Sequence, residues 1–235
     1  MLLFYVRHGH PTYNPDCLTE AGFKEAEALV CRMKRIKPDK IFASTSTRAI
    51  QTAEPTAKFF NKEITKLDWC NENHAWRELT VETEDKRRTW LFSHAPSLKL
   101  MSSGEMRNMG ENWYSHPNFE KYHFEYGINR IKKETYAFLE SLGYRYTENG
   151  YEAVNPNDDR IAIFAHQGFG IAFLSAVLDI PYPQIATRFD MTYTGISVIE
   201  FKSDGPMYPK LLQLSNDSHL FAADMETVYN NTHNF

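Results

Sequence analysis

Cysteine is scarce in this chain of 235 residues: only Cys17, Cys31 and Cys70 occur, and no two form a C-x-x-C pair. That excludes a disulfide scaffold and a Cys-rich zinc site, and it fits a reducing cytoplasm. Long apolar runs are also lacking, since no stretch approaches the roughly 20 apolar residues of a membrane span. Met1 to Val6 is followed at once by Arg7, with no basic leader and no small-residue cleavage site, so neither a membrane partner nor a secretory leader is expected. Positive charge is in deficit, with 26 Lys and Arg against 30 Asp and Glu. A net charge of -4 argues against a general nucleic-acid surface, so any phosphate binding has to be local. No repeat or low-complexity tract interrupts the chain, and its length suits a single domain over residues 1–235.

What the sequence does contain is a recurring grammar. Leu2 to Val6, Lys40 to Ser44 and Ile161 to Ala165 are short apolar runs of the kind buried on both faces of a sheet. A polar loop and a helical pattern follow each: Thr19 caps one helix, Thr45 to Phe60 is a second that Pro55 should bend or restart, and Phe169 to Leu178 is a third. Strand, loop and helix in repeated order predict an α/β sandwich of three layers around a mainly parallel sheet. Between about residues 67 and 127 periodicity is lost, which reads as a cap inserted beside the sheet. A helical stripe from Ile128 to Leu142 stops at Gly143, and Asn149-Gly150 signals a hairpin. Two further strands are expected at Gly195 to Phe201 and Lys210 to Leu214, followed by a polar tail from Ala222 to Phe235.

Three of the loops carry cationic or titratable side chains: Arg7 and His8, then Arg48, then His166. Ligands collect at the carboxyl ends of strands in open α/β sheets, and guanidinium forks match phosphoryl oxygens. Arg7-His8-Gly9 directly after the first strand resembles the signature of the histidine phosphatase superfamily, also called phosphoglycerate mutase-like. Ser44-Thr45-Ser46-Thr47-Arg48-Ala49-Ile50-Gln51-Thr52-Ala53 is similar to that family's second motif, and Leu18-Thr19-Glu20-Ala21-Gly22 to the start of its first helix. The resemblance covers Leu2 to Ala53 and Ile161 to about Leu178.

The resemblance implies a phosphoglycerate mutase-like fold and a phosphomonoester hydrolase acting on a small phosphorylated metabolite, without cofactor or metal. His8 would take the phosphoryl group, and Arg7, Arg48 and His166 would hold its oxygens. The reactive nitrogen of His8 must be unprotonated, with the other fixed by an acceptor such as a backbone carbonyl. A leaving alkoxide needs a proton, for which Glu72, in a stretch like the family's Asp-Trp segment, is the candidate, with Glu78 and Glu82 as alternatives. Asn14 and Gln167 are candidate substrate contacts. A phosphoglycerate-type mutase is the runner-up, although no Glu-Arg-His-Tyr-Gly-like stretch is recognisable; a catalytically silent phosphate binder is a third reading. His8-x-His10 as a metal pair and Asp217-x-His219 as an acid-base pair are weaker readings than their structural counterparts. The sequence does not specify an oligomeric state.

Overall fold

The computed structural model describes residues 1–204 and 208–229. The expected polar tail therefore lies partly outside the described residues, which include a short helix at Ser218–Ala222 where no pattern predicted one.

The first half of the chain runs β1 (Leu2–Arg7), a hairpin of β2 (Pro11–Tyr13) and β3 (Asp16–Leu18), α1 (Glu20–Ile36), β4 (Lys40–Ser44), α2 (Thr47–Phe60) and β5 (Ile64–Leu67). The inserted region holds α3 (Glu72–Glu78), a hairpin of β6 (Thr80–Glu82) and β7 (Arg88–Trp90), α4 (Ala95–Met101) and α5 (Gly104–Met109). There follow α6 (Phe124–Ser141), a hairpin of β8 (Tyr144–Thr147) and β9 (Gly150–Ala153), β10 (Arg160–Ala165), α7 (Gln167–Leu178), α8 (Tyr182–Ala186), β11 (Ile196–Glu200) and β12 (Lys210–Asn216).

Six of these strands form the central sheet in the order β12-β11-β1-β10-β4-β5. β1, β10, β4 and β5 run parallel, and β11 and β12 add an antiparallel edge. β1 lies inside the sheet, so its alternating side chains feed two cores. Leu3 and Tyr5 join residues of α6 and α7 on one face, and Phe4 and Val6 join Leu29, Met33, Ala53 and Ala57 of α1 and α2 on the other. This is the three-layer α/β sandwich expected from the sequence. Truncating one such side chain to alanine would cost about 2–5 kcal/mol.

Local chemistry explains most element boundaries. Thr19 Oγ1 accepts from Gly22 N at 3.1 Å and starts α1. Of the two outcomes expected at Pro55, a restart does not occur: α2 runs through it from Thr47 to Phe60. Proline removes one helical hydrogen bond, but Ala49, Thr52, Ala53, Thr56 and Ala57 are all buried, and that packing holds the helix together. β5 escaped the sequence reading because Thr65 and Lys66 are exposed at the sheet edge, which leaves no apolar pattern.

The aperiodic region is made of pieces too short to show periodicity. Its helix α3 is tied at both ends. Asn71 Nδ2 donates to Thr45 Oγ1 at 2.8 Å beyond β4, while Arg130 of α6 grips Glu78 through Nε and Nη2, both at 2.7 Å. α6 approaches so closely that a Cβ on Gly127 would stand 2.6 Å from Glu78 Cβ.

Candidate active site

β1, β10 and β4 are consecutive neighbours in the sheet, so the residues at their carboxyl ends are brought together. His8 follows β1, His166 caps α7 directly after β10, and Arg48 stands in the first turn of α2 after β4. All three are buried, as is Arg7 at the end of β1.

His8 Nδ1 lies 2.7 Å from the Gly9 carbonyl oxygen, the backbone acceptor anticipated for it. With Nδ1–H donating there, Nε2 carries the lone pair. Burial pushes the His8 imidazole well below its usual range, and the Arg7 and Arg48 guanidiniums push it further. The ring therefore stays neutral at physiological pH.

His166 is held from both sides. Its Nε2 lies 2.7 Å from Ser44 Oγ and 2.9 Å from Ser46 Oγ, while Nδ1 faces Arg48 Nη2 at 3.1 Å. Since arginine only donates, Nδ1 accepts and Nε2 carries the proton. Burial, then Arg48, His8 and Arg7, lower its affinity for a second proton. Beneath it the Tyr5 hydroxyl donates to the His166 carbonyl at 2.5 Å, fixing the start of α7 to β1.

Arg48 is the hub. Nη1 donates to Asp16 Oδ1 at 2.6 Å and Nη2 to Glu72 Oε2 at 2.9 Å, while Nε has no hydrogen-bond partner among the described residues. Arg7 Nη1 donates to the Met191 carbonyl, and its guanidinium lies 3.9 Å from the Tyr193 ring centroid. That stacking suits the planar, weakly hydrated guanidinium.

Glu72, at the start of α3, accepts from Arg48 and, through Oε1, from Gly168 N at 2.9 Å in the first turn of α7. A helix amino terminus favours a carboxylate there. Of the alternatives, Glu78 is occupied by Arg130 and Glu82 is exposed on β6. Asn14 stands exposed at the hairpin tip and does not line the cavity, whereas its neighbours Tyr13 and Asp16 do. Gln167 is buried and donates to Asp190, away from that cavity. His219 bonds Thr194 Oγ1 at 2.8 Å, and Thr194 N donates to the His8 carbonyl at 3.4 Å, so this histidine sits behind the His8 loop.

Sequence reasoning missed Asp16, whose role depends on the β2–β3 hairpin folding back onto α2. It also missed Glu25, buried behind Gly9 with Oε2 accepting from His10 N at 2.7 Å. Ser44 and Ser46 were visible only as motif letters. A nitrogen from each of His8 and His166 and an oxygen of Glu72 lie within 4.8 Å of one another, which is the donor set of a metal site. Arg48 Nη2, bonded to two of the three, carries positive charge into that space, so the cluster suits an anion better.

A cavity of about 490 Å³ opens from Arg48 and Glu72 and is walled by Tyr13, Asp16, Asn73, Trp76 and Trp90. No described helix is long and apolar enough to cross a membrane.

Comparison with known proteins bears on the family and the fold. Residues 3–115 match the histidine phosphatase superfamily (branch 1), the span that holds the first two motifs of the resemblance. No curated protein sequence matches the chain. Among solved structures, a phosphoserine phosphatase from Entamoeba histolytica in complex with phosphoserine is similar with a TM-score of 0.61 at 17% identity, over 93% of this chain and 98% of that one. A mycobacterial glucosyl-3-phosphoglycerate phosphatase in complex with VO3 gives 0.60 at 18% identity, over 92% and 99% of the two chains. The alpha-ribazole phosphatase of Shigella flexneri gives 0.58 at 18% identity, over 92% and 97%. At such identities the likeness is one of fold.

Proposed function

We propose that this chain, whose residues 3–115 fit the histidine phosphatase superfamily, hydrolyses a small phosphomonoester through a phosphohistidine on His8. The observation that carries the reading is the His8 imidazole: neutral, buried, its Nδ1 committed to Gly9 O, and its ring 5.2 Å from that of His166. In the first step the Nε2 lone pair attacks phosphorus, the ester P–O bond breaks, and the leaving oxygen takes the proton that the ester monoanion brings in, relayed through the Glu72 carboxylate. In the second, water attacks phosphorus and gives a proton to Glu72, which passes it to the departing phosphate as the P–N bond breaks and restores His8.

Arg7, Arg48 and His166 are assigned to the phosphoryl oxygens, where spread negative charge develops. Gln167 is assigned a positioning role through Asp190, whose Oδ1 also accepts from Met191 N at 2.7 Å. Asn14 contributes nothing in this reading. The chain is treated as one domain over residues 1–235, with residues 67–127 as its cap and the cytoplasm as its compartment. Hydrolysis is favoured over a mutase because Arg48 is the one cationic side chain among the described residues lining the cavity beyond the strand ends.

The test is phosphate release from an aryl phosphate with chelator present, comparing the native chain with His8→Ala. Release by the native chain, reduced by about three orders of magnitude or more in the variant, is the expected result. Release that disappears on chelation, or survives loss of His8, overturns the mechanism.

A further inference from the structure

The cavity that opens from Arg48 and Glu72 has an aromatic end. Trp76 and Trp90 meet edge to face, centroids 4.9 Å apart, and Phe92 stacks behind Trp90 at 5.4 Å. Trp90 is wedged against α7, since a Cβ on Gly168 would stand 2.4 Å from its ring. Tyr13, exposed on the β2–β3 hairpin, lines the same cavity, with Arg48 5.2 Å from its ring centroid. Trp76, Trp90 and Phe92 form a packed aromatic wall.

Charge decides which groups suit that wall. The cavity lining carries Asp16 and Glu72 against Arg48, a balance of one negative charge before any phosphate enters. Both carboxylates are engaged: Asp16 by Arg48 and by Thr47 N at 3.0 Å, Glu72 by Arg48 and Gly168 N. A tail bearing a carboxylate or second phosphate finds like charge and, among the described lining residues, no cation besides Arg48, which is already bonded to Asp16 and Glu72. A tail bearing an ammonium finds carboxylates already bonded elsewhere. An uncharged aromatic ring meets polarisable faces and loses no hydrogen bond on entry.

Resting on the phosphatase reading, we propose that the substrate is the phosphate monoester of an uncharged aromatic alcohol, its ring held against Trp76, Trp90 and Tyr13. The specificity-determining residues are then those three, while the phosphoryl group is held from the strand ends.

The experiment compares esters of similarly basic alcohols, so that intrinsic reactivity does not mimic recognition: benzyl phosphate, ethyl phosphate, 3-phosphoglycerate and phosphocholine. The expected kcat/KM for benzyl phosphate exceeds each of the others by about tenfold or more. In Trp76→Ala the benzyl-to-ethyl ratio falls toward unity, and in Trp76→Phe it is largely retained. A native ratio near unity, or preference for the anionic or cationic tail, overturns the proposal. Binding separates this failure from a failure of catalysis. Should no ester be hydrolysed, the phosphatase reading falls, and titration of His8→Ala with benzylphosphonate and methylphosphonate still decides the point. Tighter binding of the benzyl compound sustains the aromatic site, and equal binding of both removes it.

Discussion

Replacing Glu25 with glutamine should stabilise the protein in alkaline solution and leave it nearly unchanged in acid. The carboxyl is 4% exposed on α1, and burial pushes it from an ordinary 4.5 up to about 7, against the smaller opposing pulls of the His10 amide and Arg7. Because the affinity for a proton is raised on folding, the folded chain keeps a proton that the unfolded chain has lost between pH 4.5 and 7. Stability contributed by this group thus falls as pH rises through that window. At about 1.4 kcal/mol per pH unit, the ionised carboxylate costs the fold about 3 kcal/mol above pH 7. Glutamine keeps an oxygen for His10 N and never ionises. Urea unfolding at pH 5 and pH 8 should give a difference between Glu25→Gln and the native chain of about 1 kcal/mol or less at the first and about 3 kcal/mol at the second, at constant m. His8 and His166 act in the opposite direction: both are lowered well below 6.5, so the stability they contribute is lost as pH falls below that value. Both are present in the two chains and cancel in the difference. A variant destabilised equally at both pH values, or increasingly so at pH 8, would refute the reasoning by showing that the carboxylate's bond to His10 outweighs its burial.

Three further outcomes are expected. Gly168→Ala drives a methyl into the Trp90 ring and should destabilise the fold by about 1–3 kcal/mol in urea titration, with a drop in phosphate release as the amide holding Glu72 shifts. Arg48→Lys replaces a planar fork that bonds Asp16, Glu72 and His166 with a single point charge, and kcat for an aryl phosphate should fall by about a hundredfold or more. Thiol titration in native buffer should label exposed Cys31 first and partly buried Cys17 next. Cys70, buried and with its thiol pushed up to about 12 by burial, should react only when denaturant is added.

The parts of the fold legible in the sequence are those in which a local rule and the tertiary environment agree. β1, β4 and β10 are buried on both faces, so each presents an unbroken apolar run, and the polar residues after each run are the ones that converge. The hairpin of β2 and β3 stayed invisible because three-residue strands have no readable period, and with it went Asp16. Glu25 was hidden for the opposite reason: it sits in a well-patterned helix where a glutamate normally marks the solvent face, and only the approach of the His8 loop turns that face inward. Glu72 was singled out by motif likeness alone, since the inserted region offers no pattern from which to aim a side chain. Its distinction from Glu78 comes from Arg130, a partner 52 residues further along the chain.

α3 behaves as a short rigid arm clamped at both ends, by Thr45 at one and Arg130 at the other, with the proposed acid at its root and Trp76 one turn further along. The two cannot move apart. In the proposed mechanism, a ring too wide for the gap would tilt the arm and carry Glu72 away from the leaving oxygen. The cavity would then act as a gauge coupled to the proton relay, and a misfitting ester, still held by its phosphoryl group, should lower kcat more than it raises KM.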